Sequence, residues 1–271
     1  MKTGDKKTLI ARKRYIVGII RALKENTAAL LAGCEDGEHL HDLRVAIRRL
    51  QAISALFEKT LGYEFDDGFK LLLKSLISTS SKLRDIEEFE FFTKQEHKGG
   101  QKKELKDAFL YLLSDSLLWR RALSEYLKLF SEVSLGADFH KKSLETIIGA
   151  IKDSSRKYGK LISISPYDLD GLHKVRKHCK ICRYQLDFVF MQTNEGSLIC
   201  KQMQEKLGVV NDFRIWLEMA DADNFDDSIK SSLKDGLREA IHDMRVDGNM
   251  FASQKYRSHL FDTLRQRLSM L

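Results

Sequence analysis

The chain has 271 residues, a net charge of +7, 43% hydrophobic and 31% charged residues, and only one proline and 16 glycines. This length allows one large domain or two smaller halves, and the composition is typical of a globular protein. Because proline and glycine punctuate loops and strand turns, their scarcity favours helices. The positive charge favours anionic partners. Since no apolar run approaches about 18 residues, we expect no membrane-spanning segment.

Targeting and cysteine patterns point to the cytoplasm. The apolar run at 15–20 is closed at once by Arg21 and Lys24, which makes it too short for a signal-peptide core. Cys179 and Cys182 form a lone Cys-x-x-Cys without two further ligands at zinc spacing, so we expect buried free thiols. Nothing in the sequence requires an oxidising compartment. We expect neither a metal nor another cofactor.

Apolar residues recur at helical spacing along most of the chain, and no strand-like alternation stands out. The pattern breaks at 134–137, which we interpret as a boundary between two halves, 1–135 and 136–271. A further break is possible at Gly248 and Asn249. The spacing predicts helices over 7–33, 38–60, 65–96, 102–132, 139–162, 168–192, 197–220, 226–247 and 250–270.

Two of these helices carry the same motif, Leu-His-x-x-Arg-x-x-x-(Arg/Lys), which begins at Leu40 and again at Leu172. On a helix the histidine and the cations three and seven positions later share one face, and apolar residues take the opposite face. Residues 173–186 contain five Lys or Arg, two His and no acid. Solvated faces usually mix signs, because opposite charges four residues apart stabilise a helix. The motif faces therefore favour an anionic ligand, with a plain solvated surface as the alternative.

The two halves also compare element by element. Each begins with a basic helix, continues with a motif helix, and has an aspartate about 40 residues after the motif histidine, Asp85 in the first half and Asp212 in the second. A duplicated helical bundle is the natural interpretation of this order.

The paired motifs, the repeat, and the Arg-Asp and Asn-Asp steps at 84–85 and 211–212 resemble the conserved histidine α-helical domain, or CHAD, family. The resemblance covers about residues 7 to 270. It implies an all-α fold of two antiparallel four-helix bundles related by a pseudo-twofold axis. It also implies a basic surface that binds inorganic polyphosphate. One departure is Gln51, which stands where the first motif usually continues with another arginine and lowers the charge of the first half.

The resemblance places the candidate polyphosphate-binding residues on both motif helices, namely His41, Arg44, Arg48 and Arg49 in the first and His173, Arg176, Lys180 and Arg183 in the second. Neighbouring cations on the basic helix faces extend this set to Lys177, Arg14, Arg21, Lys152 and Arg156. Tyr184, Asp85 and Asp212 are candidate supporting residues. Each motif histidine either donates to phosphate when protonated or, when neutral, orients its neighbours.

Polyphosphate has no bases, so its recognition is electrostatic with hydrogen bonds to phosphate oxygens. The leading hypothesis is therefore a non-enzymatic polyphosphate-binding protein. A general polyanion-binding or nucleic-acid-binding helical protein is an alternative, because phosphate contacts dominate both cases. A phosphate-ester or polyphosphate hydrolase, or an accessory to one, would need a carboxylate cluster or an activated nucleophile. The acidic run at 221–227 is better explained as a helix cap. A scaffold for polyphosphate granules is a further alternative.

Overall fold

A computed structural model describes residues 3–34, 37–95, 101–133, 135–253, 262–264 and 266. Within these ranges the chain is all-helical and contains no strand, which confirms the predicted all-α class. The helices occur in the order α1 (Thr3–Leu31), α2 (Gly37–Leu61), α3 (Asp67–Thr93), α4 (Gln101–Ser116), α5 (Leu118–Glu132), α6 (Ala137–Ile164), α7 (Leu169–Phe190), α8 (Glu195–Ala222) and α9 (Asp227–Ala252).

Two helix predictions were wrong. The stretch 102–132 forms two helices rather than one, because Leu117 adopts a left-handed conformation with φ 44° and ψ 38° between α4 and α5. No proline or glycine marks this break in the sequence. Conversely, α9 continues through Gly248 and Asn249 to Ala252, so the possible break there does not occur. Most of the final predicted helix, 250–270, lies outside the described residues.

Side-chain caps explain where several helices begin. The Asp168 carboxylate accepts a hydrogen bond from the backbone N–H of Gly171 at 2.9 Å at the start of α7. At the start of α8, Asn194 and Ser197 form a reciprocal capping box. Such caps satisfy backbone N–H groups that lack partners in the first helical turn, and each contributes about 1 kcal/mol.

The chain divides into two compact units, one of Met1–Glu87 with Gly99–Ser143 and the other of Glu88–Lys98 with Leu144–Leu271. The division falls after Ser143, inside α6, whereas the sequence pattern placed it at 134–137. The duplication into two four-helix bundles stays a prediction.

In the first unit α1 packs against α2, α4 and α5. The predicted apolar face of the first motif helix is buried there, with Leu43, Ile47 and Leu50 fully inaccessible. Aromatic rings complete this core, and Tyr126 adds two hydrogen bonds, from its hydroxyl to the Leu50 carbonyl at 3.2 Å and with the Ser54 hydroxyl at 2.9 Å.

Arg12 on α1 is fully buried in the first unit. Its guanidinium donates hydrogen bonds to the Leu135 carbonyl and, at 2.7 Å, to Nδ1 of His140, and it lies over the Phe139 ring at 5.1 Å. Burial lowers the pKa of Arg12 to about 10. Burial, followed by the positive charge of Arg12, lowers the pKa of His140 to about 4. His140 is therefore neutral at physiological pH and accepts a hydrogen bond from a buried cation.

In the second unit α7 packs against α8, and α8 against α9. The apolar face of the second motif helix is buried as predicted, including Leu172, Val175, Cys179 and Cys182. Both cysteines are free thiols, and burial raises the pKa of Cys179. None of the described helices combines the length and the apolar character needed to cross a membrane.

Candidate functional site

In the first unit, two motif arginines converge on one hydroxyl group. Nη2 of Arg44 and Nη2 of Arg48, both on α2, donate to Oγ of Ser81 on α3 at 3.3 and 3.2 Å. Arg44 is only 7% exposed, whereas Arg48 is half-buried. We call these three residues the Ser81 site. In it, two guanidinium groups donate to the same neutral hydroxyl oxygen.

The two other residues of the first motif differ in their exposure to solvent. His41 is exposed and Arg49 is half-buried. His39, two residues before His41, forms a hydrogen bond to the neighbouring helix, with its Nδ1 2.9 Å from Oδ1 of Asn26 on α1. His41 is thus available to solvent on the face that the motif predicted.

In the second unit, the motif histidine is held by an asparagine of α8. Nδ1 of His173 donates to Oδ1 of Asn211 at 2.6 Å, and Nη2 of Arg214 donates to the same oxygen at 3.4 Å. Arg214 also forms an ion pair with Glu218 at 2.7 Å. Asn211, which was not among the sequence candidates, thus holds the motif histidine. Asp212 projects about 100° away from it on the helix, and its supporting role stays a prediction.

Further contacts run along the same two helices in antiparallel register. Arg183 donates to Oε1 of Gln204 at 3.4 Å. Arg176 lies against Gly208, where an added Cβ would stand 3.6 Å from its guanidinium nitrogens. This distance is an ordinary van der Waals contact, so the arginine passes beside the α8 backbone without requiring a glycine there. We call this set the α7–α8 site, comprising His173, Arg176, Arg183, Gln204, Gly208, Asn211 and Arg214.

The electrostatics of the α7–α8 site keep His173 neutral near physiological pH. Its pKa is lowered, first by burial and then by the positive charges of Arg214, Arg176 and Lys177, while the hydrogen bond to Asn211 opposes the shift. Because a carbonyl oxygen only accepts, the neutral ring carries its hydrogen on Nδ1 and leaves Nε2 as an acceptor. This arrangement favours the orienting role for His173 over direct donation to phosphate.

Tyr184 is near His173 in angle around the helix, yet it does not lie on the exposed cationic face. It is only 4% exposed, and the Arg183 guanidinium lies over its ring at 5.2 Å. Burial of the aromatic ring stabilises the fold, and the guanidinium that lies over the ring adds a cation–π contact. On the same helix Lys177 is exposed and Lys180 is half-buried.

The remaining candidates lie on other helices. Arg14 and Arg21 are exposed on α1 and line a shallow groove with Ile10 and Val17. On α6, Arg156 forms an ion pair with Asp153 at 3.3 Å. Half-buried positions on α6, α3 and α8 are taken by Lys152, Asp85 and Asp212.

Sequence reasoning missed the neutral side chains that hold the cations, chiefly Ser81, Gln204, Asn211 and the close approach at Gly208. Arg214 was missed as well, although it follows the Asn-Asp step by two residues. The available signal was the Gly at 208 and the Asn at 211, which are three residues apart on α8 and so lie on one face. Among the described residues, no three His, Cys, Asp or Glu side chains come together in a way that could hold a metal ion.

Comparison with known proteins agrees with this architecture. The family model for the CHAD domain matches residues 14–221. A solved structure, described as the crystal structure of the CHAD domain from the plant Ricinus communis, matches with a TM-score of 0.59 and 17% sequence identity, covering 97% of this chain and 92% of that one. Among curated proteins no significant match is found.

Proposed function

Because the chain belongs to the CHAD domain family, we propose that it binds inorganic polyphosphate non-catalytically through the Ser81 site, the α7–α8 site, and the adjacent Lys177 and Lys180 of α7. One observation carries the proposal. In each unit two cationic or donor side chains share a single neutral oxygen, Oγ of Ser81 in one case and Oδ1 of Asn211 in the other. Neither shared oxygen carries a charge, and although Glu218 pairs with Arg214, the motif cations of both sites would stabilise an added anion through charge-assisted hydrogen bonds.

The chemistry suits a polyphosphate chain in particular. Arginine offers a planar fork of N–H donors matched to phosphate oxygens, and lysine adds a mobile point charge. Cations spaced along one helix meet successive phosphates of a flexible chain, so many weak contacts act together. Through the same contacts, the protein would attach to polyphosphate granules.

Charge reversal on α7 tests this proposal. We expect Arg176→Glu/Lys180→Glu to weaken binding of long-chain polyphosphate by roughly a hundredfold or more, because two attractive contacts become repulsive. The matched control is Lys234→Glu/Arg238→Glu on α9, which changes net charge equally and should alter affinity by less than about threefold. Circular dichroism confirms that each variant is folded.

Because Arg176 packs against α8, replacing it risks misfolding. A second variant therefore leaves Arg176 unchanged. Lys177→Glu/Lys180→Glu changes one exposed and one half-buried side chain and should also weaken binding strongly. Full affinity in a folded α7 variant would overturn the proposal. Phosphate release from polyphosphate, measured with and without Mg²⁺, tests the non-catalytic part: turnover above buffer would contradict it.

A further inference from the structure

A separate cleft of about 420 Å³ opens within the second unit between the end of α6 and the start of α7. Its volume lies in the range of small-molecule sites, about 300 to 1,000 Å³. The α6 wall presents residues one helical turn apart, and the α7 wall does the same. The lining that matters here is Lys157, Lys160, Leu161 and Ile164 from α6 with Lys174 and His178 from α7.

Gly171 sets the depth of this cleft. A Cβ at this position would stand 2.9 Å from Cδ2 of Leu161 and 2.6 Å from Oδ2 of Asp168, so any larger residue would push the two walls apart. Asp168 is the acidic residue of the lining, and its carboxylate already caps α7 by accepting the Gly171 N–H at 2.9 Å. The capping carboxylate keeps its negative charge, so it offsets one of the three lysine charges of the lining and leaves a net positive cleft.

The three lysines of the cleft, Lys157, Lys160 and Lys174, make no ion pair with any residue in the described ranges. Arg156, the neighbour of Lys157 on α6, does make one, with Asp153. The positive field is felt by His178, whose pKa is lowered first by burial and then by Lys157 and Lys177. Three unpaired ammonium groups around one concave site favour an anionic group.

Two residues that line the cleft are apolar. Leu161 is half-buried, and Ile164 is 70% exposed although it is a large aliphatic residue. We call these two residues the apolar floor. Inorganic polyphosphate has no apolar part that could cover them, so their burial would stabilise only a ligand with a hydrophobic portion.

We propose that this cleft binds an organic phosphate, with the phosphate group on Lys157, Lys160 and Lys174 and the apolar body on Leu161 and Ile164. The site is distinct from the α7–α8 site, whose residues project from α7 towards α8. It does not depend on the polyphosphate proposal, because its residues are not shared and its ligand carries an apolar body that polyphosphate lacks.

Calorimetric titration of the full chain with three probes tests the inference. The probes are adenosine monophosphate, a short-chain monoacyl glycerol phosphate below its micellar concentration, and orthophosphate. We expect at least one organic probe to bind at least about tenfold more tightly than orthophosphate, because it covers the apolar floor. Which of the two binds identifies the source as a nucleotide or a lipid-like phosphate. Equal binding of all three, or no binding of either organic probe, would overturn the proposal.

Two kinds of variant separate the charged and apolar parts. Lys157→Glu/Lys160→Glu should lower the affinity for the organic probe by at least about tenfold. The charge-matched Lys141→Glu/Lys142→Glu on the same helix should leave that affinity unchanged. Ile164 is exposed, and Ile164→Asn should lower the affinity for the organic probe about three- to fivefold without changing the affinity for orthophosphate. An unaltered affinity in Lys157→Glu/Lys160→Glu, or in Ile164→Asn, would contradict the assignment. Long-chain polyphosphate, which uses other residues, serves as the check on folding.

Discussion

The buried pair of Arg12 and His140 makes stability depend on pH. The pKa of His140 is lowered to about 4 in the folded state, compared with about 6.5 when unfolded, so the unfolded chain binds the extra proton first. Stability is therefore full above about pH 6.5 and falls as pH decreases towards 4. At pH 5 the loss from this histidine is about 2 kcal/mol relative to pH 7.5. Urea denaturation at the two pH values measures it.

The control for that prediction is His140→Gln, whose amide oxygen still accepts a hydrogen bond from Arg12 but does not titrate. We expect the variant to lose about 2 kcal/mol less between pH 7.5 and pH 5 than the natural chain. The same pH dependence in both proteins would mean that His140 is not the group that titrates.

His173 shows how one neighbour decides the role of a motif residue. The sequence placed it on the cationic face but could not separate direct phosphate donation from an orienting role. Its hydrogen bond to Asn211 and its lowered pKa favour the latter. A neutral orienting histidine adds no proton uptake to binding, so affinity for polyphosphate should change little between pH 7 and pH 8.

At the scale of helices, two glycines in the second unit should respond oppositely to alanine. At Gly208 a Cβ would make an ordinary 3.6 Å contact with Arg176, whereas at Gly236 it would lie 2.4 Å from the Phe213 ring. We expect Gly208→Ala to stabilise the protein by about 0.5–1 kcal/mol through helix propensity. Gly236→Ala should destabilise it by about 1–3 kcal/mol through overpacking. Chemical denaturation of both variants measures the change in the free energy of unfolding. Equal changes would contradict the difference in packing at Gly208 and Gly236.

The break between α4 and α5 yields another prediction. Leu117 is half exposed and has a positive φ of 44°, a conformation that costs roughly 1 kcal/mol for a residue with a Cβ. Leu117→Gly should therefore stabilise the first unit slightly, by about 0.5–1 kcal/mol, despite the greater freedom of glycine when unfolded. A clear loss of stability on thermal unfolding would indicate that α4 and α5 form one continuous helix.

Helix positions and the buried sides of both motif helices could be predicted because they depend on local spacing. The periodic apolar residues Leu43 and Ile47, like Leu172 and Val175, carry that information directly. The break at Leu117 could not be predicted, since no residue there demands a turn. The burial of Tyr184 and the contact made by Asn211 could not be predicted, because both depend on which helix packs opposite, and a single sequence leaves that unspecified.

For the whole molecule, we expect the affinity for polyphosphate to depend strongly on the length of the chain. A long polyphosphate chain contacts several cations of a motif helix at once, whereas pyrophosphate contacts one or two. We expect affinity per molecule to rise by about a hundredfold or more from pyrophosphate to chains of several tens of phosphates. Competition titrations with size-fractionated chains measure this. A flat dependence on length would mean that the protein contains an isolated phosphate pocket instead.

Binding of polyphosphate is tested by calorimetric titration with long chains at two salt concentrations, with duplex DNA of matched phosphate number as the comparison. We expect tight binding of polyphosphate that weakens by about tenfold or more between 50 and 200 mM salt, because counterions are displaced on binding. We also expect much weaker binding of DNA, whose rigid duplex cannot follow the cations of a motif helix. Equal binding of both would reduce the function to general polyanion binding, and no binding of polyphosphate would contradict the claim.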